Sequence, residues 1–527
     1  MKKKWIFYIP VLLGYTIHIF LHLNKDVQNT FQDDMRQHVL GLQPTDNFFG
    51  HYFELTVPLG INFLNALTSF FCSPLQWARW GQPILIAILT TIFSIRLGKH
   101  FFKKEDTLFA KTFLFVAFLQ AFLWSGDDLI SSTPRAWASL CVLMMLEAIL
   151  ANHLIRLACV IIFTALFYAP LAILGFVLLA VLGIENLFQK KMRFWIISLV
   201  MGISFGVLLF VAYYQSHRLA EFGPTITRSQ ALTLPEFHKG GRAAYFFSNP
   251  WVFWFTGTRS GFMTRDVQAA WLFLGLGILY GLKTRFFSSE EFRRRKWMWL
   301  IILLASGFFL FFLAHTFWFR LFHPNRYIYY NVPIISGLLV ASVWNRRLFL
   351  GCGLVSILLF LMNYHLSNQN YHKESDADLV REKLISASNP IVATFPASQL
   401  GDALPLLVQA PIIASIELSL PYHQAFYREA KERLNDSFVA WTTTKKEVVQ
   451  QFLEKYGVTH ILLEHEAWLP KTKLSEPWQT LYHERLIGSP EPLLKRVLEK
   501  ENTGEGKKKK FLSKTELLEK MDLLSRE

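Results

Sequence analysis

Long apolar runs alternate with short polar segments over the first 364 residues of the chain. The first run, residues 5–23, is long enough to cross about 30 Å of hydrocarbon at about 1.5 Å per residue. The same pattern predicts further spans at residues 83–97, 108–124, 136–150, 154–168, 171–184, 194–214, 269–282, 297–317, 327–344 and 348–364. We therefore expect a mainly α, polytopic membrane protein with about eleven transmembrane helices.

Two neighbouring runs have two interpretations. The segment Tyr168-Ala169-Pro170 separates residues 154–168 from residues 171–184. A proline at this place fits either a turn between two spans or a kink within one helix. Several other runs are shorter than the roughly 20 residues of a usual span, so the expected number of helices varies by about two.

After residue 365 the pattern becomes that of a small soluble α/β domain. Residues 389–395, 411–417 and 458–464 are short apolar runs that predict buried strands, with helical patterns between them. The clearest helix begins in Thr444-Lys445-Lys446-Glu447, a capping-box pattern, and ends at Gly457. The predicted units are a transmembrane domain at 1–365, a soluble domain at 366–500, and a polar, disordered tail at 501–527 with a weakly amphipathic end.

The positions of lysine and arginine predict the orientation of the spans, because basic residues in short loops stay on the cytoplasmic side. One side receives the basic residues at 2–4, 99, 103–104, 190–193, 293–296 and 346–347. The opposite side receives residues 24–80, 125–134, 215–266, 320–326 and everything after 364. We expect the second side to be extracytoplasmic, the first span to be an uncleaved anchor, and the membrane to be the bacterial inner (plasma) membrane.

Composition agrees with a membrane location and argues against a nucleic-acid partner. Of the 527 residues, 52% are hydrophobic and 16% aromatic, more than soluble proteins usually carry. The net charge of +15 comes largely from the cytoplasmic loops and from the lysine tract at 507–510. Topology and anionic lipid explain this charge, so we expect no nucleic acid.

Two adjacent carboxylates, Asp33 and Asp34, follow the first span within Phe31-Gln32-Asp33-Asp34-Met35-Arg36-Gln37-His38. Charge so close to hydrocarbon needs water, a cation or a partner, which makes the pair a candidate catalytic base. If the segment is helical, His38 shares a face with Asp34, and Arg36 can stabilise negative charge beside them. The alternative is a solvated helix start, where aspartate complements the helix dipole.

A second acidic pair, Asp127 and Asp128, occupies the next extracytoplasmic loop. Carboxylates from two loops could hold Mg²⁺ or Mn²⁺, which would neutralise a leaving phosphate. Aspartate and glycine also occur in such turns for conformational reasons alone. Arg135 follows at the start of the next helix, where it fits either an ion pair with Asp128 or an anionic head group.

Three further side chains are candidates for binding phosphate. Arg326, with His323 beside it, lies at the outer mouth of a late span among Tyr327, Tyr329 and Tyr330. Arginine donates two parallel hydrogen bonds to phosphate oxygens, although a snorkelling arginine in an aromatic belt has the same pattern. Arg242 lies in the long basic loop that precedes the aromatic run 245–255, which fits lipid phosphate or passive contact with head groups.

In their order along the chain, these motifs resemble those of the polytopic GT-C glycosyltransferases, which use polyprenyl-phosphate-linked sugars outside the cytoplasm. Asp33 and Asp34 match the acidic motif of that family's first outer loop, Asp127 and Asp128 its second, and Arg326 its late arginine on the donor phosphate. The resemblance covers roughly residues 5–364. It implies an inverting transferase in which an aspartate activates an acceptor hydroxyl, a lipid-linked sugar is the donor, and the acceptor is a glycan, lipid or protein. The chain has no WWDYG motif, which argues against an oligosaccharyltransferase.

Two other classes of function stay open from the sequence. A transporter or lipid flippase would place charges within its spans, and Glu147 is the main such residue here. A noncatalytic assembly protein would keep the spans and tolerate loss of the acids.

Overall fold

The computed structural model describes residues 4–23, 29–42, 48–102, 105–125, 127–190, 194–289, 292, 295–317, 323–343, 371–374, 376–384, 387–469, 472–486, 490–501 and 509–526. The chain is mainly helical, with a small sheet near its C-terminal end. Within these described residues, six helices are long and apolar enough to cross a membrane: Trp5–His22, Pro74–Phe101, Thr107–Trp124, Leu154–Phe188, Phe194–Arg218 and Arg295–Thr316.

The helices of the first 343 residues are α1 (Ile9–Leu23), α2 (Met35–Leu42), α3 (Phe48–Thr56), α4 (Leu59–Thr68), α5 (Pro74–Gln76), α6 (Gln82–Phe101), α7 (Glu105–Ser125), α8 (Asp127–Ser131), α9 (Ala138–Leu150), α10 (Leu154–Phe188), α11 (Phe194–Arg218), α12 (Arg228–Leu232), α13 (Gln268–Lys283), α14 (Arg295–Thr316), α15 (Arg326–Tyr329) and α16 (Asn331–Val343). A π-helical turn, Trp77–Gly81, joins α5 to α6.

Helix α10 turns back on itself at Tyr168. Its backbone leaves helical geometry there, with φ −152° and ψ 75°. A methyl group on Gly175 would lie only 2.8 Å from Cγ1 of Ile161, whereas a straight helix would separate these residues by about 21 Å. The two arms therefore run antiparallel, which decides the question left by Tyr168-Ala169-Pro170 in favour of a turn between two segments.

With these two arms, ten of the eleven predicted spans coincide with apolar helices or helix arms. The eleventh, residues 348–364, and the predicted domain boundary at 365 lie outside the described residues. Large apolar side chains on the outer faces of the bundle are exposed, for example Phe194, Leu199, Phe210 and Leu279. Hydrocarbon rather than water suits such a surface, so the chain is an integral membrane protein.

Basic side chains gather at one end of the bundle, as the sequence predicted. Arg295 pairs with Glu185 at 2.6 Å and donates to the carbonyl oxygen of Ile149 at 3.3 Å. Glu147 lies at this same end, where its carboxylate pairs with Arg156 at 3.0 Å. Glu147, which the sequence placed within a span, thus forms an ion pair at the turn between α9 and α10.

The part of the chain after residue 370 contains the helices α17 (Ala377–Leu384), α18 (Gln399–Leu407), α19 (Gln424–Thr442), α20 (Lys446–Lys455), α21 (Trp478–Leu486), α22 (Leu493–Glu501) and α23 (Lys514–Arg526). Its strands are β2 (Tyr371–Lys373), β3 (Val392–Ala393), β4 (His460–Glu464) and β5 (Lys509–Ser513). One sheet has the order β3-β4-β5, with β3 parallel and β5 antiparallel to β4.

The predicted strands at 389–395 and 458–464 are confirmed as β3 and β4, and 411–417 makes only a single parallel bridge, from Ile412 to Val392. The expected disordered tail is wrong for residues 509–526. Phe511 and Leu512 in β5, and Leu517 and Met521 in α23, are buried in the domain core. Burial of these apolar side chains stabilises the C-terminal strand and helix. Residues 502–508 lie outside the described residues.

Helix α20 begins at Lys446 and makes no side-chain cap, so the capping-box prediction was wrong. It buries Val449, Phe452 and Leu453 on one face, as its pattern predicted. The helix ends before Gly457, whose φ of +60° favours glycine.

A short ribbon joins this domain to the first outer loop. Strand β1 (Thr30–Gln32) pairs antiparallel with β2, with Phe31 opposite His372. Phe31 and Met35 are fully buried against Ala403 and Leu406 of α18. The segment that carries the acidic pair is therefore anchored on the C-terminal domain.

Candidate active site

Asp33 and Asp34 lie at the turn between β1 and α2. Because Phe31 and Met35 are buried on either side, the two carboxylates between them stay accessible: the Asp33 side chain is 40% exposed and that of Asp34 is 26% exposed. The backbone N–H of Asp34 donates to Oε1 of Gln32 at 2.8 Å, which fixes the turn. The turn thus holds both acids with their side chains partly exposed.

Asp34 belongs to a chain of charges drawn from three other elements. Its carboxylate accepts a hydrogen bond from the guanidinium of Arg135, which lies just before α9. Nε of Arg135 lies 2.9 Å from Oδ1 of Asp128 in α8, and that oxygen lies 4.0 Å from Nη1 of Arg326. The structure therefore brings together four of the residues that the sequence singled out.

The turn that carries Asp128 is tied down by hydrogen bonds. The hydroxyl of Ser131 donates to the carbonyl oxygen of Asp128 at 2.7 Å. Ser132 has a φ of +55°, and its carbonyl accepts from the side chain of Gln82 at 2.7 Å. A serine adopts positive φ only when surrounding contacts stabilise that conformation. Here the hydrogen bond from Gln82 holds the loop against α6.

Arg326 has unused hydrogen-bonding capacity. Its Nη1 donates to the hydroxyl of Tyr330 at 3.1 Å, and its guanidinium lies 5.4 Å from the ring centroid of Tyr329. Its Nε is buried and has no hydrogen-bond partner among the described residues. An arginine has five N–H donors, so this one can accept further anionic ligands.

Two more arginines are paired with carboxylates that the sequence did not single out. Arg36 pairs with Asp33 and lies 3.6 Å from Asp402 of α18, between Nη1 and Oδ2. Arg242 pairs with Glu417, which also accepts from Gln37 at 3.2 Å. The C-terminal domain thus supplies two carboxylates to the site.

The side chain of Asp402 is buried. Burial raises the pKa of its carboxyl to about 7, although the charge of Arg36 opposes this shift. The only sequence signal for Glu417 is its place at the end of the apolar run 411–417, and Asp402 had none. Both were missed because their partners lie far away in the sequence.

The two histidines differ from expectation. Burial lowers the pKa of His38 to about 4, so it is neutral at pH 7, and the carboxylate of Asp34 bonds Arg135 instead. Burial and the charges of Arg259 and Arg326 hold the pKa of His323 well below its usual value. Its Nε2 lies 3.3 Å from the hydroxyl of Tyr422. Neither imidazole supplies a positive charge to the site at neutral pH.

The expected metal site does not fit the described residues. No group of three His, Cys, Asp or Glu side chains there could hold an ion. Asp128 faces Arg135 and Arg326, whose positive charges occupy the surroundings that a cation would need. The side chain of Asp127 lies outside the described residues.

The two aromatic stretches that follow Arg326 and Arg242 differ in exposure. Tyr327 and Tyr330 are buried in the bundle. In the outer loop, by contrast, Trp251 is 62% exposed and stacks on Phe255 with ring centroids 4.0 Å apart. Only the second stretch presents an open aromatic surface.

The chain is similar to solved structures of the oligosaccharyltransferase of Archaeoglobus fulgidus. The apo form has a TM-score of 0.46 at 12% identity, and the AglB complex with an inhibitory peptide and a dolichol-phosphate has 0.46 at 13%. The form tethered to an acceptor peptide with the NVT sequon has 0.45 at 14%, and each match covers 88% of this chain and 70% of the other. No protein-family model and no curated protein matches the chain.

Oligosaccharyltransferases have the GT-C fold. What this chain can do follows from its own side chains.

Proposed function

We propose that this protein is an integral membrane glycosyltransferase that transfers a sugar from a polyprenyl-phosphate-linked donor to an acceptor hydroxyl, with inversion. One observation carries the proposal: the carboxylate of Asp34 and the guanidinium of Arg326 are joined through Arg135 and Asp128 at one end of an apolar bundle. A base and a phosphate-binding group at one membrane surface are what this reaction requires.

Asp34 is the base in this proposal. It accepts the proton of the acceptor hydroxyl while that oxygen forms a bond to the anomeric carbon of the donor sugar. Asp34 is favoured over Asp33 because its partner, Arg135, also contacts Asp128 and so leads to Arg326. Arg135 can retain Asp128 as its counterion while Asp34 takes up the proton.

Arg326 stabilises the leaving group. As the bond between the anomeric carbon and the phosphate oxygen breaks, the electron pair stays on the polyprenyl phosphate. The free N–H donors of Arg326 meet this charge in a partly buried place, where hydrogen bonds to ions are stronger than in water. Arg36, Arg135 and Arg242 supply further positive charge around the site, whereas His323 lies near Arg326 as a neutral imidazole.

The transporter alternative receives no support from the structure. Glu147, the main charge predicted within a span, pairs with Arg156 at the opposite end from the site. The exposed Trp251, which stacks on Phe255, suits the lipid surface along which a donor would approach. The acceptor, whether a glycan, a lipid or a protein, stays open.

The decisive experiment uses the purified full-length protein in liposomes with a panel of radiolabelled polyprenyl-phosphate sugars and a cell-envelope extract as the acceptor source. We expect transfer by the natural protein and a loss of about 10²–10⁴-fold in Asp34→Asn, since that is the usual contribution of a general base. Asp266→Asn, an exposed aspartate just before α13, is the matched control. Solute movement without consumption of any lipid-linked sugar would instead establish a transporter.

The orientation and the membrane are part of the proposal. We infer that the active site and the C-terminal domain face away from the cytoplasm of a bacterial cell. A cysteine at the exposed Arg428 should react with a membrane-impermeant maleimide in intact cells, whereas one at the exposed Arg285 should react only after lysis. The reverse pattern would place the site in the cytoplasm and refute the use of an extracytoplasmic donor.

A further inference from the structure

A cavity of about 520 Å³ lies in the C-terminal domain, away from the spans. It opens beside the carboxyl ends of the parallel strands β3 and β4, where Phe395 and Glu464 lie. The first residues of α18, Ser398 and Gln399, form another wall. Ligands of open α/β sheets bind at this edge, and the volume lies within the usual range of about 300–1,000 Å³ for small-molecule sites.

The wall contains one buried carboxylate that is not used by the protein. Glu374 lines the cavity and is only 6% exposed. No hydrogen bond or ion pair within 4 Å engages its carboxylate among the residues that the structure describes. Burial raises its pKa to about 7, and the more distant charge of Lys509 opposes this rise. A buried polar group without a partner is costly unless a ligand supplies one.

The other charged groups of the cavity are of both signs, with Asp376, Glu464 and Glu466 acidic and Lys473 and Lys509 basic. The ammonium of Lys509 lies 3.3 Å from Asp376 and 3.3 Å from Glu464, and the hydroxyl of Ser398 hydrogen-bonds Glu464. A metal ion would be repelled by this lysine. A neutral ligand with several hydroxyl groups can donate to the carboxylates and accept from the lysine at the same time.

We propose that this cavity binds a sugar residue of the acceptor. Glu374 and Lys509 would hold its hydroxyl groups, and Phe395 and Leu469 would contact its apolar face. Glu374 directly follows β2 and, because β2 runs antiparallel to β1, it lies at the opposite end of the ribbon from Asp33 and Asp34. The three-residue ribbon separates them by about 10 Å at 3.3–3.4 Å per residue. In this proposal the acceptor is an oligosaccharide that extends along the ribbon, with one sugar unit in the cavity and another at the base. Assigning the sugar to the acceptor rests on the proposed function.

Sugar binding can be measured without any transfer reaction. The full-length protein in detergent is applied to an array of bacterial polysaccharide fragments that also carries glucose, mannose, galactose and N-acetylglucosamine. We expect at least one glycan to be retained. Binding should fall at least tenfold in Glu374→Leu, which removes the unpartnered carboxylate, and in Gln399→Trp, which blocks the exposed rim without touching the core.

Two controls separate this inference from the proposed function. Glu447→Gln, at an exposed position of α20, should bind the glycan as the natural protein does. Asp34→Asn should also bind it, even though transfer is lost. If transfer fails in the natural protein but glycan binding depends on Glu374, the cavity is a sugar site and the transferase proposal alone is wrong.

Three results would overturn the inference. These are no retention of any glycan, unchanged retention in both Glu374→Leu and Gln399→Trp, and calorimetric binding of Mg²⁺ or Ca²⁺ alone that disappears in Glu374→Leu. The last result would make the cavity a cation site.

Discussion

Asp34 and Arg135 are 101 residues apart in the sequence, yet the carboxylate of one accepts a hydrogen bond from the guanidinium of the other. Their side chains are 26% and 19% exposed. In such a place a charge is partly removed from water, so each partner depends on the other more than in a surface ion pair. This pair joins the first outer loop to the second.

Removing Arg135 should therefore lower the stability of the protein. We expect Arg135→Ala to lower the free energy of unfolding by about 1–3 kcal/mol, because two carboxylates lose a partner. Arg135→Lys should recover less than half of this loss, because a single ammonium cannot reach Asp34 and Asp128 as a planar fork does. Thermal unfolding in detergent, with the exposed Arg428→Ala as control, measures the difference. Equal stability of all three variants would show that the pair contributes nothing.

Arg326 should control the affinity for the donor. We expect Arg326→Ala to raise the KM for the lipid-linked sugar by tenfold or more, since a hydrogen bond to a charged group contributes about 1.5–3 kcal/mol. Arg326→Lys keeps the charge but loses the bidentate geometry, so its KM should lie between the two. The exposed Arg265→Lys is a control at the same end of the bundle. A change in the acceptor KM alone would assign Arg326 to the other substrate.

The ion pairs of Asp128 predict that transfer does not require a metal ion. Since Arg135 and Arg326 already face this carboxylate, transfer should persist after dialysis against excess EDTA. Added Mg²⁺ or Mn²⁺ should raise the rate less than twofold. A loss of activity on chelation that Mn²⁺ restores, and that Asp128→Asn abolishes, would contradict the arrangement described above.

Asp402 predicts how stability depends on pH. Its pKa is about 7 in the folded protein, against an ordinary value of 3.8 for an aspartate, so the folded state holds its proton more tightly than the unfolded chain does. Its contribution to stability is complete below about pH 4 and is lost as the pH rises through 7. In Asp402→Asn this loss disappears, so the melting temperature of the variant relative to the natural protein should rise between pH 5 and pH 8. Measuring a difference cancels the similar shift of Glu374. A constant difference would mean that Asp402 is ionised throughout.

Much of the fold could be predicted from the sequence. The apolar runs located ten described spans or helix arms, and the basic residues predicted the end of the bundle where Arg295 and Lys296 lie. Strands β3 and β4 were found from short apolar runs in the same way. These predictions succeed because the free energy of moving a side chain out of water depends mainly on the type of residue. The contributions of successive residues add up along a segment.

Two features, the strand at residues 509–513 and the charge state of His38, could not be predicted in this way. Residues 509–513 looked like part of a polar tail, but β5 forms because β4 offers it an edge and the core accepts Phe511. His38 looked like a partner for Asp34, but burial keeps it neutral. Both outcomes depend on neighbours that are distant in the chain.

The sequence by itself determined that the protein spans a membrane, and it singled out Asp33, Asp34, Asp128, Arg135 and Arg326 as unusual charges at one surface. Only the tertiary structure decided that Arg135 joins Asp34 to Asp128 and that Asp402 and Glu417 complete the cluster. The reason is physical. Burial follows from the composition of one segment, whereas an ion pair needs two atoms within about 4 Å, a distance set by the packing of separate helices and loops.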